Sequence, residues 1–120
     1  MDKKHKNFPP DILGRGYSLA HLGIGEMAWK RDEIISIIQI LRKNNIPVLG
    51  GNVYKIFNDK IEITYDNWYM NDDGNSDFAE RSLNKVVSYI EEYESANGND
   101  FVYTLVFQPT TLVSLTFSNT

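Results

Sequence analysis

Apolar positions along these 120 residues follow two rhythms, and each change of rhythm marks an element. Ile34, Ile37, Ile38 and Leu41 recur at helical spacing, on a face that Ile35 and Ile40 widen. Asp32 and Glu33 stand ahead of that run and Arg42 and Lys43 close it, so charge complements the helix dipole at both ends. Asn44-Asn45 can cap the end and Pro47 forbids continuation, which predicts a helix from Lys30 or Arg31 to Asn44. Trp29, just before it, is expected to be a buried core anchor. A second helical run carries Ala79, Leu83, Val86, Val87, Ile90 and Tyr93. Ser76 is its expected N-cap, with Asp77 and Glu80 in the first turn, and Asn97-Gly98 its stop.

Between the two helical runs the rhythm has period two. Ile46-Pro-Val-Leu-Gly-Gly-Asn-Val-Tyr-Lys-Ile-Phe57 and Lys60-Ile-Glu-Ile-Thr-Tyr-Asp-Asn-Trp-Tyr-Met70 flank Asn58-Asp59. Asn and Asp tolerate the positive φ of a type I′ turn, so a tight hairpin is predicted. Counting back from Phe57 opposite Lys60 pairs Ile56 with Ile61, Lys55 with Glu62, Tyr54 with Ile63, Val53 with Thr64 and Gly51 with Asp66. Lys55 and Glu62 form an opposite-charge cross-strand pair that favours this register. It puts Ile61, Ile63, Tyr65, Asn67 and Tyr69 on one face and Glu62, Thr64, Asp66, Trp68 and Met70 on the other. Trp68, sharing a face with Glu62 and Asp66, is therefore expected to be partly exposed. Gly50-Gly51 is expected to mark a bulge or a small polar notch beside Asp66.

The ends are less regular. Residues 1–12 read as a loose arm ending in Pro9-Pro10, and Tyr17 to His21 as a short strand followed by a turn from Leu22 to Gly25. Phe101 to Phe107 reads as an apolar strand that Pro109 stops, and residues 109–120 as a tail or edge strand. The order β-α-β-β-α-β predicts one α+β domain over residues 13–108. It is a small sandwich in ferredoxin-like order with a central β-hairpin and two helices, and a further C-terminal strand can be added to it.

Composition narrows the function classes. The chain has no cysteine, so disulfides, thiolate metal sites and cysteine nucleophiles are excluded. His5 and His21 have no partner at metal-ligand spacing, and Asp72, Asp73 and Asp77 do not follow a calcium-loop pattern, so no metal or cofactor is expected. The glycines from Gly14 to Gly25 fit neither phosphate-binding pattern, and no nucleophile-elbow motif occurs. No apolar run reaches the ~20 residues that span a bilayer, and no secretory leader is visible, so a cytoplasmic protein without a membrane partner is expected. The net charge of −4 conceals an asymmetry. Ten acids and two bases lie between Ile61 and Asp100, which argues against nucleic acid and is compatible with a basic protein partner or with a solvated acidic surface that keeps the protein soluble.

Particular words of the sequence point further. Gly23-Ile-Gly-Glu-Met-Ala-Trp29, Ile46-Pro-Val-Leu-Gly-Gly-Asn-Val-Tyr54 and Thr64-Tyr-Asp-Asn-Trp68 together resemble the immunity protein 40 family. Ser82, Tyr89, Ile90 and Tyr93 and the apolar closing strand are similar too, so the likeness runs from Tyr17 to Phe107. It implies a non-enzymatic bacterial protein that binds and neutralises a cognate polymorphic toxin. The resemblance does not fix the toxin's activity; a nuclease, which needs lysines and arginines to hold phosphates, suits an acidic inhibitor. The expected partner-binding residues are Glu26, Asp66, Asn67, Trp68, Tyr69, Asp72, Asp73 and Asp77, with Tyr65 beside them as a further aromatic anchor. Two other readings compete: a small-molecule or enzymatic site in the notch near Gly51 and Asp66, and a structural subunit pairing through its tail. The oligomeric state stays open.

Overall fold

The computed structural model describes residues 14–107, so the N-terminal arm and the tail from 109 lie outside the described residues. In chain order the elements are β1 (Tyr17–Ser18), β2 (Met27–Ala28), α1 (Arg31–Lys43), β3 (Val48–Phe57), β4 (Lys60–Tyr69), α2 (Phe78–Asn97), β5 (Phe101–Tyr103) and β6 (Val106–Phe107). The expected α+β class, two helices and central hairpin are all present.

The main sheet is built around β3. β4 pairs with one edge of it, and β5 and β6 pair in series with the other, all antiparallel. Among the described residues β4 is thus an outer strand. The expected single strand from Phe101 to Phe107 is broken at Thr104-Leu105. The Thr104 amide donates to the Asn52 carbonyl at 3.0 Å, and its hydroxyl accepts the Asn52 amide at 2.9 Å, so a side chain patches the gap between β5 and β6.

Both helices cover one face of the sheet. Ile34, Ile37, Ile38 and Leu41 of α1 and Leu83, Val86 and Ile90 of α2 meet Val48, Val53, Trp68, Phe101 and Tyr103 in the main core. Trp29 is fully buried there, as the helix-entrance position predicted, and its backbone pairs both ways with Tyr103. Ser82 is also fully buried: it accepts the Val48 amide at 3.0 Å and donates to the Ala79 carbonyl, so it satisfies the start of β3 from within α2. α1 ends in a Schellman arrangement, with Asn45 at φ 56 and the Ile46 amide bonded to the Leu41 carbonyl. α2 starts one residue later than the Ser76 cap predicts; Asp77 takes the cap position without a side-chain cap bond.

The other face of the sheet is partly covered by the N-terminal segment. The expected strand to His21 stops at Ser18, and Ala20–Leu22 form a 3-10 turn instead. β1 pairs with β2 rather than joining the main sheet. Leu19, Ala28, Leu22 and Ile24 pack on Tyr54, Ile61, Ile56 and Val102, and the His21 ring lies 3.2 Å from the Ile61 carbonyl.

Candidate interaction surface

The hairpin turn follows the sequence. Asn58 and Asp59 have φ 51 and 65, and the pairs from Phe57–Lys60 back to Tyr54–Ile63 are those counted from the turn. Beyond Tyr54 the register departs. Asn52 pairs with Asn67, Gly51 with Trp68 and Gly50 with Tyr69. Thr64, Tyr65 and Asp66 therefore stand against the single residue Val53. This bulge lies in β4; a second irregularity lies in β3 beside the glycines, as expected, where the two steps from Val48 to Gly50 face the single step from Phe107 to Val106. Two extra residues in β4 preserve the alternation of faces, so the parity of the sequence reading survives even though its pairings do not.

Side chains hold this bulge in place. The Thr64 hydroxyl donates to the Val53 carbonyl at 2.7 Å and accepts the Asp66 amide at 3.0 Å. The Asp66 carboxylate accepts the Tyr93 hydroxyl from α2 at 2.7 Å. Burial, that hydrogen bond and the nearby Asp66 charge push the Tyr93 pKa up to about 12. Between these ties Tyr65 takes φ 67 and points into solvent, 85% exposed.

Trp68 corrects the expectation of partial exposure: it is 6% exposed, on the helix-covered face. Its ring stacks on Tyr89 at 4.6 Å between centroids, and Tyr89 stacks in turn on Tyr93 at 5.9 Å. Polar neighbours on the same strand face misled the sequence reading, because α2 covers only the Trp68 end of that face. Gly51 makes room for the ring. A Cβ there would stand 2.5 Å from the indole and 2.1 Å from the Thr104 carbonyl oxygen. The position expected to be a gap beside Asp66 is thus filled by Trp68.

The other expected site residues separate into groups. Asn67 is exposed beside Asn52, and Tyr69 is 71% exposed at the end of β4. An open depression of about 380 Å³ adjoins them, lined by Gly50, Gly51, Asn52, Asn67, Trp68 and Tyr69 among others, and none of the described residues in its wall is a carboxylate, histidine, lysine or arginine. Glu26 is not part of this surface. It lies near Tyr54 beneath the N-terminal segment; burial raises the Tyr54 pKa and the Glu26 charge raises it further. Asp66 bonds to α2 on the opposite face, so the two carboxylates considered for acid–base work do not meet.

The acidic loop is largely matched from within. Asp73 and Asp77 both bind Arg81, at 2.6 and 3.0 Å, and Glu80 binds Arg42 at 3.1 Å. The Asn75 amide and then the Arg81 guanidinium hold the Asp73 carboxyl below its ordinary range. Asp72 accepts the Gly74 amide in a local turn. Among the described residues no three His, Asp or Glu side chains converge as a metal site would need, and no helix is long and apolar enough to cross a membrane.

Sequence reasoning missed Thr64 and Tyr93 as the ties of the bulge, and Arg81 as the partner of two candidate acids. Only Arg81 left a local signal, its i,i+4 spacing from Asp77. Comparison with protein families finds that the model described as immunity protein 40 matches residues 18–107. Comparisons with curated proteins and with solved structures return no match.

Proposed function

The chain belongs to the immunity protein 40 family, and from that premise we propose that it neutralises a cognate polymorphic toxin by direct, non-enzymatic binding in the cytoplasm. The observation that carries this reading is the family match over residues 18–107. The surface that suits the task is the outer strand β4 and the loop after it. Exposed Ile63, Tyr65 and Tyr69 supply apolar and aromatic contact there, and Glu62, Asp66 and Asp72 supply negative charge. Asn67 and the depression beside Tyr69 offer hydrogen bonds and room for a side chain of the partner. Trp68 serves from beneath, as support. Asp73 and Asp77 add to the long-range field, although Arg81 offsets part of their charge.

A basic toxin, such as a nuclease, would be drawn to this field. Steering raises association above the ~10⁵–10⁶ M⁻¹s⁻¹ of an unsteered pair and fades with salt. Among the described residues the wall of the depression offers one acid–base group, the Tyr69 hydroxyl, with no carboxylate or histidine to partner it, which favours the binding reading over the enzymatic one.

The test is to look for a toxin reading frame beside this gene and to co-express its product with this protein. Rescue of growth, together with a complex between this protein and the catalytically inactivated toxin, is the expected result. Failure of both overturns the proposal. An association rate indifferent to salt overturns its electrostatic part and leaves binding itself standing.

A further inference from the structure

Tyr65 is the residue that local physics explains least. Four non-glycine residues among those described have positive φ: Asn45, Asn58, Asp59 and Tyr65. Asn and Asp tolerate the left-handed region because their short polar side chains bond locally. A tyrosine has no such compensation, and this one gains little from burial at 85% exposure. A residue kept in an unfavourable conformation must be held there by its surroundings, and such residues concentrate at functional sites.

The surroundings here do hold it. Thr64 clamps the bulge to Val53 and to the Asp66 amide, and Tyr93 holds the Asp66 carboxylate from α2. Tyr93 also lies against Tyr89, Phe101 and Tyr103, so its hydroxyl is positioned by the core. A backbone fixed in advance leaves only the ring's own rotations to be lost on binding.

Resting on the toxin-binding reading above, we propose that Tyr65 is the central anchor of the toxin contact and that Thr64, Asp66 and Tyr93 are positioning residues that present it. Its receptor on the toxin is an apolar recess large enough for a phenol ring, rimmed by lysine or arginine. The rim follows from the charge of the whole stretch from Ile61 to Asp100, which carries ten acids to two bases. Ile63, 43% exposed, and Tyr69 complete the apolar contact along β4.

The proposal separates stability from binding in a way that a structural role for Tyr65 does not. Tyr65→Gly relieves the backbone and removes the ring, so the melting temperature should hold or rise by several degrees while affinity for the inactivated adjoining toxin falls roughly 30-fold or more. Tyr65→Asn should behave alike, and Tyr65→Phe should bind within a few-fold of the natural protein. Tyr93→Phe should weaken binding in the natural background and have no further effect once Tyr65 is Gly, because it acts through the ring it positions. The natural protein is measured alongside. If it fails to bind, the toxin-binding reading itself falls. If it binds and Tyr65→Gly binds as well, or if Tyr65→Gly melts markedly lower, Tyr65 is not the anchor. An equal effect of Tyr93→Phe in both backgrounds would remove it from the positioning role.

Discussion

At the level of Asn52 and Val53 both ladders of the central strand are interrupted, with a shift of register on the β4 side and none between β5 and β6, and in both places a threonine hydroxyl bonds the backbone of β3. On the inner side the hydroxyl belongs to Thr104, which is 1% exposed. On the outer side it belongs to Thr64, which is half-buried on the edge strand. The chemistry is shared and the consequence differs. The inner break lets β5 turn into β6 without leaving an amide of β3 unmet, and Leu105 stays in the core. Among the described residues the outer break has no strand beyond it; its surplus residues move outward and Tyr65 is exposed to solvent. A sheet interior uses such an irregularity to close, and a sheet edge uses it to present a side chain.

The harshest way to test the inner region is Trp68→Ala, since the ring fills the space above Gly51 between the two breaks. A loss of roughly 3–5 kcal/mol is expected, read from urea unfolding midpoints. A loss under 1 kcal/mol would mean that the ring is not a core element. The comparison itself is tested by two matched substitutions. Thr104→Val should cost about 1–3 kcal/mol, because the Asn52 amide loses its acceptor in a closed environment. Thr64→Val should cost about 0.5–1.5 kcal/mol and bring faster amide exchange at Tyr65 and Asp66. Equal costs would abolish the distinction drawn between the two sides.

Alkali should sharpen it more gently. The Tyr93 hydroxyl, pushed up to about 12 in the folded protein, keeps its proton where an unfolded tyrosine has lost it. Its contribution is therefore complete below about pH 10 and declines as pH rises from there through about 12. Unfolding midpoints should fall across that window, with a shallower fall in Tyr93→Phe. Tyr103, whose pKa burial and then Glu94 also raise, adds to the slope in both proteins. The smallest effect is expected at the hairpin tip. Asp59→Gly should change stability by no more than about 0.5 kcal/mol and leave toxin binding intact, because glycine adopts positive φ without strain. Lost binding with an unchanged unfolding curve would extend the partner surface to the turn.

Local rules were enough for several elements of this chain. The period of Ile34, Ile37, Ile38 and Leu41, followed by Asn44-Asn45 and Pro47, sets a helix with its stop. Asn58-Asp59 sets a turn and the pairs next to it, since a two-residue loop permits one register near its tip. The burial of Trp29 also followed from its place before the first helix. What lay beyond those rules depended on partners distant in sequence. The bulge at Thr64–Asp66 is held by Val53 and by Tyr93, 11 and 27 residues away, and nothing inside Thr64-Tyr-Asp-Asn-Trp68 encodes it locally. The burial of Trp68 depends on α2 covering that end of the sheet, and the muted charge of the acidic loop depends on where helix geometry delivers Arg81. Periodicity and turn chemistry act over a few residues and are written in the chain; which break becomes closed and which presents a ring is decided by what packs on either side, and that exists only once the sheet has assembled.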